Sequence, residues 1–306
     1  MSNCKKVPLI LQTDIGGDID DFWALTMILK QPQLDLQFVL TDTDNTVYRA
    51  AIVAKQLAAA GRSDIEIGAG IVEWPERHIL THKEWIEKYQ LPKEYANYSQ
   101  YGVDRLIERV KAAEEPITLV AIGPAPSLAA ALQKAPEIAE KIDFVGMFGS
   151  IYKEHHNKPG KIAEYNVWRD IPAAQVVFSA NWHSAAITPL DTCGRIVLTG
   201  DLYKRIEDSD DSLVKNIAEV YHFWLKSFKD PNWSTPIQSS TLYDTVAVHM
   251  ASSREFLKMV PMNLVIDDQG FVQESPDGKP FQVAIDWTDQ DAYCKFLVDT
   301  LTGEKA

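Results

Sequence analysis

The chain reads as an α/β protein, one domain with a mostly parallel central sheet covered by helices. Three observations point there. Short apolar runs of strand length recur along the chain, helical patterns of apolar residues lie between them, and the polar clusters that suggest chemistry mostly fall just after a strand. The 306 residues suit one large α/β domain, and no linker, repeat or low-complexity tract divides them, so residues 1–306 are expected to form a single unit.

Residues 7–11 are a short apolar run, and a helical pattern carried by Phe22, Trp23, Leu25, Ile28 and Leu29 follows the loop after it. Residues 36–40 form a second strand, and residues 48–60 an alanine-rich helix stopped by Gly61. A third short strand covers 65–67. Residues 117–122 are a buried strand ended by Gly123-Pro124 and followed by a helix over 127–134; 144–147 and 185–189 repeat the strand pattern. The acidic run 207–211 reads as a solvated loop before an aromatic helix over 220–228. In such folds ligands sit beyond the carboxyl ends of the strands.

Composition narrows the function. Hydrophobic residues make up 46% and charged residues 24%, an ordinary globular balance that argues against disorder or a fibrous repeat. With 43 acidic against 30 basic side chains the formal charge is −13, which repels a phosphate backbone and argues against a nucleic-acid partner. Cys4, Cys193 and Cys294 are an odd number without paired spacing, which supports neither a disulfide framework nor a zinc site and fits a reducing compartment. The first apolar run is too short for a signal-peptide core or a membrane span, so a soluble, cytoplasmic protein with no membrane partner is expected.

The most informative segment is Gln12-Thr13-Asp14-Ile15-Gly16-Gly17-Asp18-Ile19-Asp20-Asp21, with four carboxylates between a strand and a helix. Like charges at short range raise one another's pKa unless a cation or hydrogen bonds offset them. Oxygen ligands without a nearby histidine or cysteine suit a hard ion such as calcium or magnesium rather than zinc. An EF-hand is excluded, because its closing glutamate would fall on Leu25 or Leu29. The macrodipole of a helix N-terminus accounts for one or two such acids, not four.

This segment resembles the aspartate signature of the inosine-uridine-preferring nucleoside hydrolases, and further likenesses follow in order over roughly residues 7–285. Asn45 resembles an asparagine that contacts the sugar. Ile122-Gly123-Pro124 resembles the turn whose carbonyl, here that of Ile122, completes the metal shell. Met147-Phe148-Gly149 is similar to the family's Met-Gly-Gly, Ala163-Glu164-Tyr165-Asn166 to its Ala-Glu-Phe-Asn, and Asp244 to the distal carboxylate of the metal site. Each has a plainer reading alone: Asn45 and Asp244 as helix caps, Glu164 and Asn166 as loop polar residues.

The resemblance implies a calcium-dependent hydrolase that cleaves the N-glycosidic bond of a nucleoside or related riboside with a metal-activated water. Asp14, Asp21, Asp244 and the Ile122 carbonyl would hold the ion, and Asp14 would take the water's proton. Asp20, Asn45, Glu164 and Asn166 would bind the ribose hydroxyls, with Met147 beside the substrate; assembly into a homo-oligomer is compatible with the likeness.

Three departures stand out. Five residues separate Asp14 from Asp20 where the family has three, which lets Asp18 compete for the role given to Asp20. Gln12 replaces a common aspartate, and Tyr243 stands where the best-known members have a histidine that protonates the leaving base. A phenol is a poor acid at neutral pH but still donates a hydrogen bond. Trp74, Trp168, Tyr221, Trp224 and Trp233 are available to stack on a base, although Tyr221 and Trp224 at helical spacing fit a core better. A non-catalytic calcium and sugar binder is the rival reading. A phosphohydrolase is disfavoured, because no Lys or Arg lies in the aspartate loop to meet a phosphate.

Overall fold

A computed structural model describes residues 6–72, 79–227 and 237–303. Its centre is β1 (Val7–Thr13), whose residues alternate between the two faces of the sheet: Leu9 and Leu11 enter one apolar core, Ile10 the other. β1 pairs in parallel with β2 (Leu34–Thr41) on one side and β5 (Ile117–Ala121) on the other. From β2 the sheet continues through β3 (Glu66–Ala69) to β4 (Tyr98–Ser99). From β5 it runs through β6 (Ile142–Met147) and β7 (Ser184–Thr188) to β10 (Lys279–Trp287), still parallel.

Among the described strands only β8 (Leu257–Ile266) runs against the rest; it pairs antiparallel with β10 and with β9 (Val272–Glu274), which closes the far edge. The order β4-β3-β2-β1-β5-β6-β7-β10-β8-β9 therefore gives the mostly parallel sheet that the strand and helix alternation implies. The short runs read from the sequence fall on β1, β2, β3, β5, β6 and β7, with ends that differ from the strands by at most two residues.

Helices cover both faces. α1 (Asp20–Lys30) and α2 (Thr46–Ala59) contribute to the Leu9 face, and α4 (Gly102–Ala112), α5 (Pro126–Lys134) and α7 (Ile171–Ser179) to the Ile10 face. Two four-residue helices, α3 (Lys83–Ile86) and α6 (Tyr165–Trp168), lie in connections. α8 (Gly200–Glu207), α9 (Ser212–Ser227), α10 (Tyr243–Met250) and α11 (Gln290–Thr302) complete the Leu9 side. Among the described residues no helix is long and apolar enough to cross a membrane. Cys193 and Cys294 are buried free thiols.

Tyr221 and Trp224 on α9 are buried against each other in the core, as their spacing suggests, while Trp168 is exposed; Trp74 and Trp233 lie outside the described residues. The acidic run straddles the end of α8 and the start of α9, where Asp211 accepts from the backbone N–H groups of Leu213 and Val214 and pairs with Lys30.

The Ile10 face is an aromatic core. Phe144 stacks on Trp182 at 4.7 Å and meets Phe281 edge-on at 6.4 Å. Truncation of a buried ring removes its transfer energy and leaves a cavity. Phe144→Ala is therefore expected to lower stability by about 3–5 kcal/mol, read as a shifted urea midpoint with an unchanged slope.

Candidate active site

The loop after β1 carries Asp14 and, with Gly16 at φ +103°, turns to start α1 at Asp20. The Gly16 carbonyl accepts from the Tyr48 hydroxyl at 3.1 Å and the Thr81 hydroxyl at 3.0 Å, which fixes the turn. A Cβ at Gly16 would fall 2.6 Å from the Tyr48 ring, so the side-chain-free backbone is required as well as the positive φ. Asp20 and Asp21 occupy the first turn of α1, and Asp244 the first turn of α10, which packs against α1.

Carboxylate oxygens of Asp20, Asp21 and Asp244 lie within 4.8 Å of one another, and all three residues are buried. At that separation two unit charges repel by about 3–4 kcal/mol at an effective dielectric of about 20. A helix dipole returns only about 0.3–1 kcal/mol per anion. Burial, followed by mutual repulsion, accordingly drives all three carboxyls well above their usual range; burial also raises Asp14, with Arg49 opposing. Thr13 donates a short hydrogen bond to Asp21. The donor set is oxygen only and under-compensated, which fits a hard divalent cation.

The cluster forms the floor of a cavity of about 320 Å³, within the range of small-molecule sites. Ile122, Met147, Glu164, Asn166 and Tyr243 line its walls. Asn166 Nδ2 donates to the carbonyls of Met147 at 2.9 Å and Ile122 at 3.2 Å, tying the ends of β5 and β6 to α6. Glu164 caps α6 and accepts from the N–H groups of Gly149 and Asn166; burial nevertheless raises its carboxyl to about 7. A wider groove of about 740 Å³ opens beside the amino end of β7, but Glu274 is the one ionisable group among its described lining residues.

One predicted position differs in placement. Asn45 caps α2, its side chain accepting from Tyr48 N–H at 3.0 Å, and is not among the residues lining the cavity; Asp44 stands there instead. Asp18 is exposed and accepts from the N–H of Ile19, whereas Asp20 is buried in the cluster; both line the cavity.

The fold also adds two groups that the linear pattern hides. Arg49, four residues after Asn45 on α2, is buried with its guanidinium 3.8 Å from Asp14 and 3.5 Å from Asp44, and it donates to the carbonyls of Ile15 and Thr43. Asp44 is shared with Arg169, 2.6 Å away. His155, from the loop after β6, lines the cavity with Nδ1 3.0 Å from the Tyr243 hydroxyl. A basic group does therefore reach the aspartate loop, but both of its charged contacts are carboxylates.

A model of the inosine-uridine preferring nucleoside hydrolases matches residues 9–303. The chain belongs to this family. It is 24% identical over 272 residues to the pyrimidine-specific ribonucleoside hydrolase RihA of Escherichia coli O1:K1, covering 86% of this chain and 85% of that one. Among solved structures, the plant nucleoside hydrolase PpNRh1 aligns with a TM-score of 0.80 at 22% identity, over 97% of this chain and 99% of the other. A purine-preferring ribonucleoside hydrolase from Gardnerella vaginalis aligns with a TM-score of 0.76 at 22% identity, over 97% and 98%. These likenesses show a shared fold, and family membership makes the chain a hydrolase of N-glycosyl bonds.

Within this nucleoside hydrolase the glutamine at position 12 does not leave the rear of the site uncharged. Gln12 Nε2 donates to the Pro124 carbonyl at 2.8 Å and to Asp42 at 3.2 Å, and burial raises that Asp42 carboxyl to about 6. Gln12 thus fastens the turn at Ile122–Pro124 to the end of β1. A Cβ at Gly123 in that turn would fall 2.5 Å from Asp14 Oδ1 and 2.8 Å from the Asp14 backbone nitrogen. Gly123→Ala is expected to displace Asp14 at a cost of about 1–3 kcal/mol, read as roughly ten- to hundredfold weaker divalent-cation binding by calorimetry with a native circular dichroism spectrum.

Proposed function

We propose that this protein is a calcium-dependent ribonucleoside or riboside hydrolase, working with a water activated at the carboxylate cluster. The observation that carries the reading is the convergence of Asp20, Asp21 and Asp244 on the cavity floor. Calcium takes about six to eight oxygen ligands in adaptable geometry, so carboxylates gathered from two helix termini and a loop suit it better than the strict octahedron of magnesium. Asp14, Asp21, Asp244 and the Ile122 carbonyl are the proposed ligands. A divalent cation so placed lowers the pKa of a water and orients the sugar diol.

The chain's own groups do the rest. Asp14, with Arg49 beside it to favour its ionised form, takes the water's proton. Asp20, Glu164 and Asn166 hold the sugar hydroxyls, and Asp44 supplies the polar contact that the sequence pattern gives to Asn45. Met147 packs beside the sugar. As the C1′–N bond lengthens, the ring gains oxocarbenium character and the departing base needs a proton or hydrogen bond, for which Tyr243 is the group at hand.

Two outcomes test the reading. Calorimetry on metal-stripped protein is expected to show one calcium per chain, with binding lost in Asp244→Ala; no binding in the parent protein removes the proposed ion. A product assay over inosine, uridine and simple ribosides is expected to show cleavage that a chelator abolishes, whereas calcium and ribose binding without product would make the protein a binder.

The sugar contacts predict discrimination as well. A site that hydrogen-bonds a hydroxyl leaves buried polar groups unpaired when that hydroxyl is missing. Uridine is expected to exceed 2′-deoxyuridine in kcat/KM by about a hundredfold or more, and equal values would remove Asp20 from its role.

A further inference from the structure

We propose that His155 is a positioning residue for the leaving group: it holds the Tyr243 hydroxyl toward the cavity and passes solvent protons through it to the departing base. The proposal rests on the hydrolase reading above. It concerns a histidine from the loop after β6, far in sequence from the position where the family pattern has one.

The geometry has three parts. His155 Nδ1 lies 3.0 Å from the Tyr243 hydroxyl, and the two rings meet edge to face at 5.8 Å. A phenol oxygen both accepts and donates. With the His155 proton on Nδ1, the Tyr243 oxygen accepts from it, and the phenol's own proton is left to point into the cavity that both rings line.

Exposure is the third part. Tyr243 is half-buried and its neighbour Asp244 belongs to the carboxylate floor, whereas His155 is exposed at the rim. Burial, and then the neighbouring His156, hold His155 below the usual imidazole range, which favours the neutral ring. A neutral imidazole with one nitrogen in water and one on the phenol can carry a proton without ever holding two.

The C1′–N bond breaks and its electron pair goes to the base nitrogen, which takes the phenol's proton. The Nδ1 proton of His155 moves to the phenol oxygen in the same step, so Tyr243 remains a neutral phenol. A solvent water gives a proton to Nε2, and the hydroxide it leaves is neutralised by the proton that Asp14 took from the attacking water. His155 is left as its other neutral tautomer, which exchange with solvent returns to the Nδ1–H form.

The test uses the calcium-loaded protein with uridine and with p-nitrophenyl riboside, whose leaving group departs without a proton. His155→Ala is expected to lower kcat on uridine about a hundredfold with KM nearly unchanged, to alter p-nitrophenyl riboside turnover by less than about threefold, and to recover roughly tenfold with added imidazole. His155→Asn keeps a donor beside Tyr243 and guards against local collapse of the loop; it is expected to be as slow as His155→Ala on uridine. Imidazole is expected to have no effect once Tyr243→Phe is added to His155→Ala.

Equal losses on both substrates, a loss confined to KM, or full recovery in His155→Asn would each overturn the relay. Parent protein that cleaves neither substrate overturns the hydrolase reading and the relay with it. Parent protein that cleaves both, with unaffected variants, overturns the relay alone.

Discussion

Repulsion among buried carboxylates is the constraint around which the rest of this structure is arranged. Asp20, Asp21 and Asp244 share a buried space in which burial raises each acid's affinity for protons most and each raises the others' further. The protein answers with partial charges first. The acids stand in the first turns of α1 and α10, where unsatisfied backbone N–H groups favour anions. Arg49 adds one full positive charge, but on the Asp14 and Asp44 side. What is left uncompensated is a pocket of the right chemistry for a doubly charged ion, and the sheet supplies the rigidity that keeps the acids from moving apart.

The parallel sheet contributes by bringing the carboxyl ends of β1, β2, β5 and β6 to one place. Each strand end then hands a different kind of group to the same cavity: acids after β1, Asp44 after β2, a backbone carbonyl after β5 and Met147 at the end of β6. Side-chain ties fix these ends against one another. Gln12 fastens β1 to the turn after β5, and Asn166 fastens that turn to the end of β6. Polar side chains that look like binding residues in the sequence are thus also the mortar of the site: Asn166 and Gln12 are buried and spend amide N–H groups on backbone carbonyls.

The sheet and the acidic floor were legible because both depend on local pattern. Apolar runs mark β1, β2, β5, β6 and β7, and the crowding of Asp14 to Asp21 has no economical explanation other than a cation. Other elements carry weaker local signals: α4 is strongly two-faced but mostly polar, and β8 and β10 carry Pro261 and Pro280 with several exposed positions. The assignment at Asn45 shows a second limit. An asparagine before a helix is equally suited to capping and to binding, and only the fold shows that it caps while Asp44 turns inward. Arg49 and His155 were invisible for a third reason: each reaches the site through space from an element whose sequence gives no chemical hint. A buried arginine one helical turn past a cap is the only signal that would have pointed to the first.

The packing of α1 on α10 bears on how the chain reaches this state. Asp20 and Asp21 are made early in the chain and Asp244 late, so the acidic floor is assembled by a contact of very long range. Closing so long a segment is entropically unfavourable until much else is in place, and contacts of this kind form late in folding. The mutual repulsion of the acids is therefore postponed to the end of the process, after the sheet has already been built. An ion captured at that stage would act on the finished molecule as a latch, slowing its opening more than hastening its formation.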